Sequence, residues 1–222
     1  MRTLDRIVHF DERSRSFPIT DVLTSTTLRN KTWKCGVHLD QGQEGSCVGH
    51  AWAHELASEP YKVAVESDTA KVIYYAAQQF DEWEGVSYSG TSVLAGAKVV
   101  KALGHMPEYR WAFGIDEVLA TLSRFGPVVL GINWYRGMFI PDAGGFITPT
   151  GDLAGGHAIL ATGVTVRERN GWWWKTLDDP IVRLHNSWGE SYGVGGDIFI
   201  RSSDLQRLLL EDGDACVPVV RR

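Results

Sequence analysis

A cysteine stands where a polar, glycine-rich loop changes into a predicted helix, and this position could make it a nucleophile. The loop covers residues 40–46, and from Cys47 onward apolar residues recur with helical spacing. The first N–H groups of a helix carry partial positive charge, which favours the thiolate, and the thiolate is the reactive form. A small buried cysteine that packs as an apolar residue fits the same position equally well.

Two further segments place polar side chains beside apolar runs. His157 follows Gly155 and Gly156 and opens one such run, and Asn186 ends another. An imidazole can accept or donate a proton near neutral pH, and an amide oxygen can orient its ring. Taken singly, a histidine of this kind is more often structural, and such an asparagine belongs to a turn. The chemistry therefore depends on whether the fold brings these side chains together.

The elements that must position these residues change character along the chain. Helices are predicted from residue 47 until Pro60 and over 69–83, 91–103 and 115–125. Strands are predicted over 128–132, 158–166, 181–184 and 198–201, with a hairpin-type turn at Asn170-Gly171. This order predicts a single α+β unit over 1–222, with a crossing segment at 1–37, a helical lobe at 38–114 and a β-rich lobe at 115–222.

Length and charge exclude several classes of protein. The chain has 222 residues, a net charge of −5 and 44% hydrophobic residues, which are values for one globular unit. The negative charge argues against a general nucleic-acid binder, and no apolar run approaches the roughly 20 residues of a membrane span. The three cysteines, Cys35, Cys47 and Cys216, match neither a disulfide framework nor a zinc set, so no metal or other cofactor is expected.

The motifs together resemble the papain-like cysteine peptidases, whose pattern is Gln, Cys, His and Asn in that order. They stand here as Gln41, Gly45-Ser46-Cys47, Gly156-His157-Ala158 and Asn186-Ser187-Trp188-Gly189. The resemblance covers about residues 17–205 and leaves the C-terminal tail unassigned. It implies a two-lobed α+β fold, with a helical N-terminal lobe, an antiparallel β-barrel-like C-terminal lobe and the active-site cleft between them.

The resemblance also implies a role for each matching residue. Cys47 would be the nucleophile, paired with His157 as thiolate and imidazolium, and Asn186 would orient the imidazole. Gln41 and the backbone N–H of Cys47 would form the oxyanion hole. Trp188 would shield the bond between His157 and Asn186 from water. Cys47 is then the expected reactive thiol, and the other two cysteines are expected to be inert.

The sequence departs from the family pattern at several points. Val48 replaces the usual aromatic residue after the nucleophile, and Glu44 replaces a cysteine that forms a disulfide in secreted members. The interval of 110 residues from Cys47 to His157 is short, and no long inhibitory propeptide precedes the motifs. The resemblance is therefore strongest to compact bacterial and phage members.

Predictions for the substrate side rest on fewer residues. Gly90, Gly156 and Trp188 are the candidates for contact with substrate. A glycine has no side chain and so lets a substrate backbone approach closely, although a simple turn explains Gly90 equally well. The pocket for the P2 side chain is expected to be open, with no acidic floor. His50 and His54 have the i, i+4 spacing of metal ligands but lack the glutamate of zinc peptidases, so a structural helix face is expected.

Three functions follow from these observations. The first is a cysteine peptidase that hydrolyses peptide bonds through a thioester acyl-enzyme. The second is a cell-wall peptide hydrolase or amidase with the same triad, and the third is a silent scaffold used for binding. We expect a peptide or protein substrate, no nucleic acid or membrane partner, and a monomer. The absence of a signal-peptide pattern predicts a cytoplasmic protein, of phage-encoded or virion-associated origin as one option.

Overall fold

The computed structural model describes residues 3–80, 89–170 and 175–219. The end of the predicted helix at 69–83 and Gly171 of the predicted hairpin turn lie outside these ranges. The described residues form six helices: α1 (Glu12–Arg15), α2 (Cys47–Leu56), α3 (Ser67–Phe80), α4 (Val93–Ala102), α5 (Ile115–Arg124) and α6 (Ser202–Leu210). Short 3-10 turns cover Ile19–Asp21 and Arg136–Phe139.

The strands in the described residues are β1 (Lys31–Thr32), β2 (Glu108–Trp111), β3 (Val128–Tyr135), β4 (Leu153–Thr165), β5 (Glu168–Asn170), β6 (Lys175–Leu177), β7 (Ile181–His185), β8 (Asp197–Arg201) and β9 (Asp214–Val219). Seven of them form one antiparallel sheet in the order β2-β9-β3-β4-β7-β8, with β1 paired to β4. β5 and β6 form a separate antiparallel pair on either side of the predicted hairpin turn. Helices combined with an antiparallel sheet confirm the predicted α+β class.

Local sequence signals mark both ends of α4. Ser92 is the N-cap, and its Oγ accepts a hydrogen bond from the Ala95 N–H at 3.1 Å. Gly104 follows the last turn with a φ of +83°, a left-handed conformation that glycine adopts without steric cost. A serine before a helical run and a glycine after it are common start and stop signals of helices.

The sheet separates two hydrophobic cores because its side chains alternate between two faces. On β4, Ile159 and Ala161 pack with α5, α6 and most of the strands. Ala158 and Leu160 point to the other face and pack with α2, α3 and α4. β4 therefore links the helical layer to the β-rich part of the molecule, and His157 lies on this linking strand.

The sequence-based assignment lacks α1, β1, β2, α6 and β9, and it gives only the turn between β5 and β6. β9 is buried along its whole length, and its alternation is interrupted by Pro218, so neither strand nor helix periodicity was visible. It pairs with both β2 and β3 and so completes the sheet on the side next to α4.

Candidate active site

Cys47 is the first residue of α2, and the loop before it is tied to the end of β7. Gln41 N donates to the Ser187 carbonyl at 2.9 Å, and Asp40 forms an isolated bridge with Trp188. Gly42 turns the loop with a φ of +62°. The thiol of Cys47 is fully buried. These contacts bring the predicted nucleophile to the segment that carries Asn186.

His157 and Asn186 are hydrogen-bonded, as the motifs predicted. His157 Nε2 lies 2.8 Å from Asn186 Oδ1, which also accepts from the Ser187 N–H at 2.8 Å. An amide oxygen accepts only, so Nε2 carries the proton and Nδ1 is the free ring nitrogen. Nδ1 is buried and has no hydrogen-bond partner in the described part of the chain. The next residue, Ala158, directs its N–H at Cys47 Sγ at 3.5 Å.

Aromatic side chains enclose the His157 ring. Trp188 lies 4.8 Å from it between ring centroids and Trp134 lies 4.9 Å away. Phe139 stacks on Trp188 and Tyr192 meets it edge-on. Water is kept away from the bond between His157 and Asn186, which strengthens that bond in its low-dielectric surroundings.

The Gln41 amide is fixed with its N–H groups directed at carbonyl oxygens. Its Oε1 accepts from Ser187 Oγ at 2.7 Å, which sets the orientation of the amide. Its Nε2 donates to the Glu44 carbonyl at 2.9 Å and to the Thr3 carbonyl at 3.2 Å. A carbonyl oxygen of the chain itself is therefore bound at the predicted oxyanion position.

Residues 3–7 lie across the site as an extended segment. Ile7 N donates to the Thr91 carbonyl at 2.9 Å, and Arg6 N donates to the Gly156 carbonyl at 2.9 Å. Ser89 Oγ donates to the Asp5 carboxylate at 2.9 Å. The pairing of Arg6 with Thr91 is parallel. The segment thus runs between the start of α4 and β4.

Gly90 and Gly156 allow this close approach. Gly90 has a φ of +91°, and a Cβ there would overlap the Asp5 carbonyl. A Cβ at Gly156 would overlap the Arg6 carbonyl oxygen. Both glycines were predicted to contact a substrate backbone, and both contact the backbone of residues 3–7 in this structure.

Burial sets the protonation state of the pair. Burial raises the pKa of Cys47 above its usual value, although N–H groups of Ala158 and Asp5 act in the opposite direction. Burial also lowers the pKa of His157 to about 4, against the smaller effect of Asn186. With residues 3–7 in place, both groups are therefore neutral at pH 7, in contrast to the expected thiolate–imidazolium pair.

Cys35 has surroundings that the sequence did not reveal. It is half-buried in a surface pocket of about 260 Å³ that His38, His185 and Asp197 also line. Burial acts to raise its pKa, but hydrogen bonding and the charge of His185 outweigh this, so the pKa of Cys35 is lowered. The expectation that Cys35 is an inert thiol is therefore not supported by its environment. No sequence motif links it to a histidine 150 positions away.

His50 and His54 bond to nearby groups of the fold. His50 Nδ1 lies 2.9 Å from the Ser46 carbonyl, and His54 Nε2 accepts from the Leu39 N–H at 3.0 Å. Burial lowers the pKa of both histidines. These contacts agree with a structural role for this helix face. The described residues contain no cluster of three or more His, Cys, Asp or Glu side chains arranged to hold a metal ion.

Asp214 is a site residue that the sequence analysis missed. Its buried carboxylate lies 3.2 Å from Arg6 Nη2, beside Gly131 of β3. Asp214 begins β9, in the tail that the motifs left unassigned. The pocket next to Gly156 therefore contains an acidic residue, which the sequence had not predicted.

Solved structures show which fold this chain has. No family model matches the chain. Xylellain, a cysteine protease from Xylella fastidiosa, superposes with a TM-score of 0.71 over 100% of this chain and 98% of its own, at 21% identity. Procathepsin B S9 from Trypanosoma congolense gives a TM-score of 0.62 at 13% identity, covering 98% and 83% of the two chains. The chain has the papain-like cysteine protease fold, which confirms the resemblance drawn from the motifs at the level of fold.

Two further comparisons also find cathepsin-like proteins. Procathepsin L 3 of the Tenebrio molitor larval midgut gives a TM-score of 0.63 at 14% identity, covering 99% of this chain and 76% of its own. A cathepsin B-like cysteine proteinase 4 of Caenorhabditis elegans is 22% identical over 157 residues. That match covers 69% of this chain and 44% of the relative, so it spans less than half of that relative's length. None of the described helices is long and apolar enough to cross a membrane.

Proposed function

We propose that this protein is a cysteine peptidase that hydrolyses peptide bonds through a thioester acyl-enzyme. The observation that carries the proposal is the convergence of three groups: a thiol at a helix start, a histidine with one oriented and one free nitrogen, and an amide that already binds a carbonyl oxygen. Gln41 Nε2 donates a hydrogen bond to the Thr3 carbonyl oxygen at 3.2 Å. The papain-like fold of cysteine proteases supports the same reaction class.

In this proposal, His157 takes the proton of Cys47 through Nδ1, and Sγ attacks the carbonyl carbon of the substrate. The oxyanion accepts hydrogen bonds from Gln41 Nε2 and the backbone N–H of Cys47. His157 then gives its proton to the leaving amine, and a water molecule that His157 deprotonates hydrolyses the thioester. Asn186 orients the His157 imidazole without adding a charge. The basicity of His157 therefore depends on how much water reaches the ring when the cleft opens.

Residues 3–7 hold the site in a resting state. They fill the cleft, supply the carbonyl bound by Gln41 and keep Cys47 and His157 dry and neutral. Displacement of the segment admits water and substrate together. Hydration lowers the cost of charging both groups, so ion-pair formation accompanies opening.

Fluorogenic peptide hydrolysis by the full chain tests the function. We expect Cys47→Ala to reduce turnover to the uncatalysed background, because the attacking atom is lost. Cys35→Ala is the matched control, since it removes a second thiol with a histidine neighbour and leaves Cys47 intact. Peptide hydrolysis by Cys47→Ala at the wild-type rate, or a folded wild-type protein that cleaves no peptide in a broad library, would contradict the proposal.

A further inference from the structure

A surface pocket outside the proposed catalytic cleft combines a thiol with a cluster of ionisable side chains. This Cys35 pocket has a volume of about 260 Å³, and Cys35 lies half-buried in its wall. The other ionisable side chains that line it are Lys34, His38, Arg183, His185 and Asp197. The mechanism proposed for the Cys47 site uses none of these groups, so the cluster is free to carry a separate chemistry.

The Val37 carbonyl oxygen brings the Cys35 sulfur and the His185 ring together. Cys35 Sγ donates to this oxygen at 3.3 Å, and His185 Nε2 lies 2.9 Å from it. His185 Nδ1 lies 2.7 Å from Asp197 Oδ1, so both ring nitrogens face acceptors and the ring is a cation. A fixed positive charge beside a sulfur favours the thiolate, and the thiolate is the form that attacks a disulfide.

The rest of the pocket adds positive charge to that of His185. Lys34 and Arg183 are two further cations, and Asp197 is the only carboxylate among the described residues that line the pocket. Asp197 is already paired with Arg183 and His185. Lys34 is exposed, and 40% of the Arg183 side chain is exposed. A small molecule that reaches the sulfur therefore meets a surface that attracts anions.

We propose that Cys35 is a modification site that exchanges with a small disulfide bearing carboxylate groups. The Cys35 thiolate attacks one sulfur of the disulfide, the S–S bond breaks, and the other sulfur leaves as a thiolate that takes up the proton lost by Cys35. The products are a mixed disulfide on Cys35 and one free thiol, so the disulfide is itself the oxidant. The carboxylates of the attached half pair with Lys34 and Arg183. The inference does not involve Cys47 and is independent of the proposed peptidase activity.

Two small disulfides of opposite charge, oxidised glutathione and cystamine, give the first test. The reduced full-length chain is incubated with each at pH 7, and peptide mapping gives the rate of adduct formation at each cysteine. Each rate is divided by that of the neutral thiol 2-mercaptoethanol with the same disulfide, which removes the difference in their own reactivity. We expect oxidised glutathione to modify Cys35 first, with a normalised rate about tenfold above that of cystamine. Equal normalised rates, or an adduct that forms first on Cys47 or Cys216, would overturn the inference.

Variants of the pocket give the second test. His185→Gln removes the cation beside the sulfur, and we expect exchange at Cys35 to slow about tenfold. Lys34→Gln should weaken the preference for oxidised glutathione, and Lys62→Gln, at an exposed lysine outside the pocket, is the matched control that should keep it. Cys47→Ala should exchange at Cys35 at the wild-type rate. Thermal unfolding shows that each variant is folded. Wild-type exchange rates in folded His185→Gln, or a wild-type preference in Lys34→Gln, would overturn the inference.

Discussion

The candidate active site and the Cys35 pocket each contain a buried histidine, and the two histidines differ in charge at pH 7: His157 is neutral and His185 is a cation. His157 is held by the neutral amide of Asn186 at 2.8 Å, and burial lowers its pKa to about 4. His185, the residue before Asn186, bonds to the Asp197 carboxylate at 2.7 Å through Nδ1. Its pKa rises to about 9, because hydrogen bonding to Asp197 and Cys35 outweighs desolvation. The charge of the partner therefore decides the charge of the imidazole.

The difference in protonation also means that His157 can act as a base, whereas His185 is a fixed cation. Both nitrogens of His185 face acceptors, because Nε2 lies 2.9 Å from the Val37 carbonyl. Both therefore carry protons, and the ring has no lone pair for proton transfer. His157 keeps a buried Nδ1 with no hydrogen-bond partner among the described residues, and the N–H of the next residue contacts Cys47 Sγ. A lowered thiol pKa, as at Cys35, thus does not by itself identify the catalytic pair.

The largest expected effect concerns the Gln41 side-chain amide, which binds carbonyl oxygens at the Cys47 site. Gln41→Ala removes one donor to the oxyanion, and we expect kcat to fall by about 10²–10³. The exposed neighbour Gln43 gives the matched control Gln43→Ala, which should keep the wild-type rate. Steady-state kinetics on one peptide would measure both. A Gln41→Ala variant with unchanged kcat would exclude the oxyanion role.

The next effect is on stability and depends on pH. The raised pKa of His185 means that its ion pair stabilises the fold fully below pH 6.5 and that this contribution is lost as pH rises to about 9. The shift corresponds to at most about 3 kcal/mol. Asp197→Asn should lower the free energy of unfolding by up to this amount near pH 6, and the difference should narrow toward pH 9.

Urea unfolding at several pH values measures this difference. Asp152→Asn is the control, because the Asp152 ion pair with Arg136 is exposed and 3.6 Å long, so little change is expected. His157 acts in the opposite direction, since its lowered pKa removes stability as pH falls from 6.5 to about 4. An Asp197→Asn difference that is constant over pH 6–9 would mean that His185 is not charged.

The smallest expected effect is the order in which the thiols react at rest. Brief treatment with iodoacetamide at pH 7 should modify Cys35 about tenfold faster than Cys47, because Cys35 is half-buried with a lowered pKa and Cys47 is enclosed. Arg6→Ala should loosen residues 3–7 and speed the labelling of Cys47. Peptide mapping by mass spectrometry gives both rates. Faster labelling of Cys47 in the wild-type chain would show that the cleft is open at rest.

Local signals predicted helices α2 to α5, and the family resemblance implied the pairing of His157 with Asn186. Ser92 and Gly104 delimit α4 by capping chemistry, and the hallmark motifs place Gln41 and Cys47 next to each other. Whether these residues act as proposed remains a prediction. The assignment of lobes at 38–114 and 115–222 is likewise a prediction, made from the order of the predicted helices and strands.

The remaining features depend on contacts between distant parts of the chain. Arg6 and Asp214 are 208 positions apart, and only the fold brings them together. The same holds for Cys35 with His185. The neutral state of Cys47 and His157 follows from burial under residues 3–7, and burial cannot be read from a motif. The predicted thiolate–imidazolium pair therefore describes an opened cleft better than the resting one.

The central claim is tested most directly by identifying which sulfur atom a mechanism-directed inhibitor modifies. The full-length protein is incubated with an epoxysuccinyl peptide probe under reducing conditions, and the adduct is located by peptide mapping while residual peptide hydrolysis is recorded. We predict one adduct per chain, on Cys47, formed in step with the loss of hydrolysis and unaffected by Cys35→Ala. An adduct on Cys35, or loss of hydrolysis with Cys47 unmodified, would contradict the assignment of Cys47 and His157 as the reacting pair.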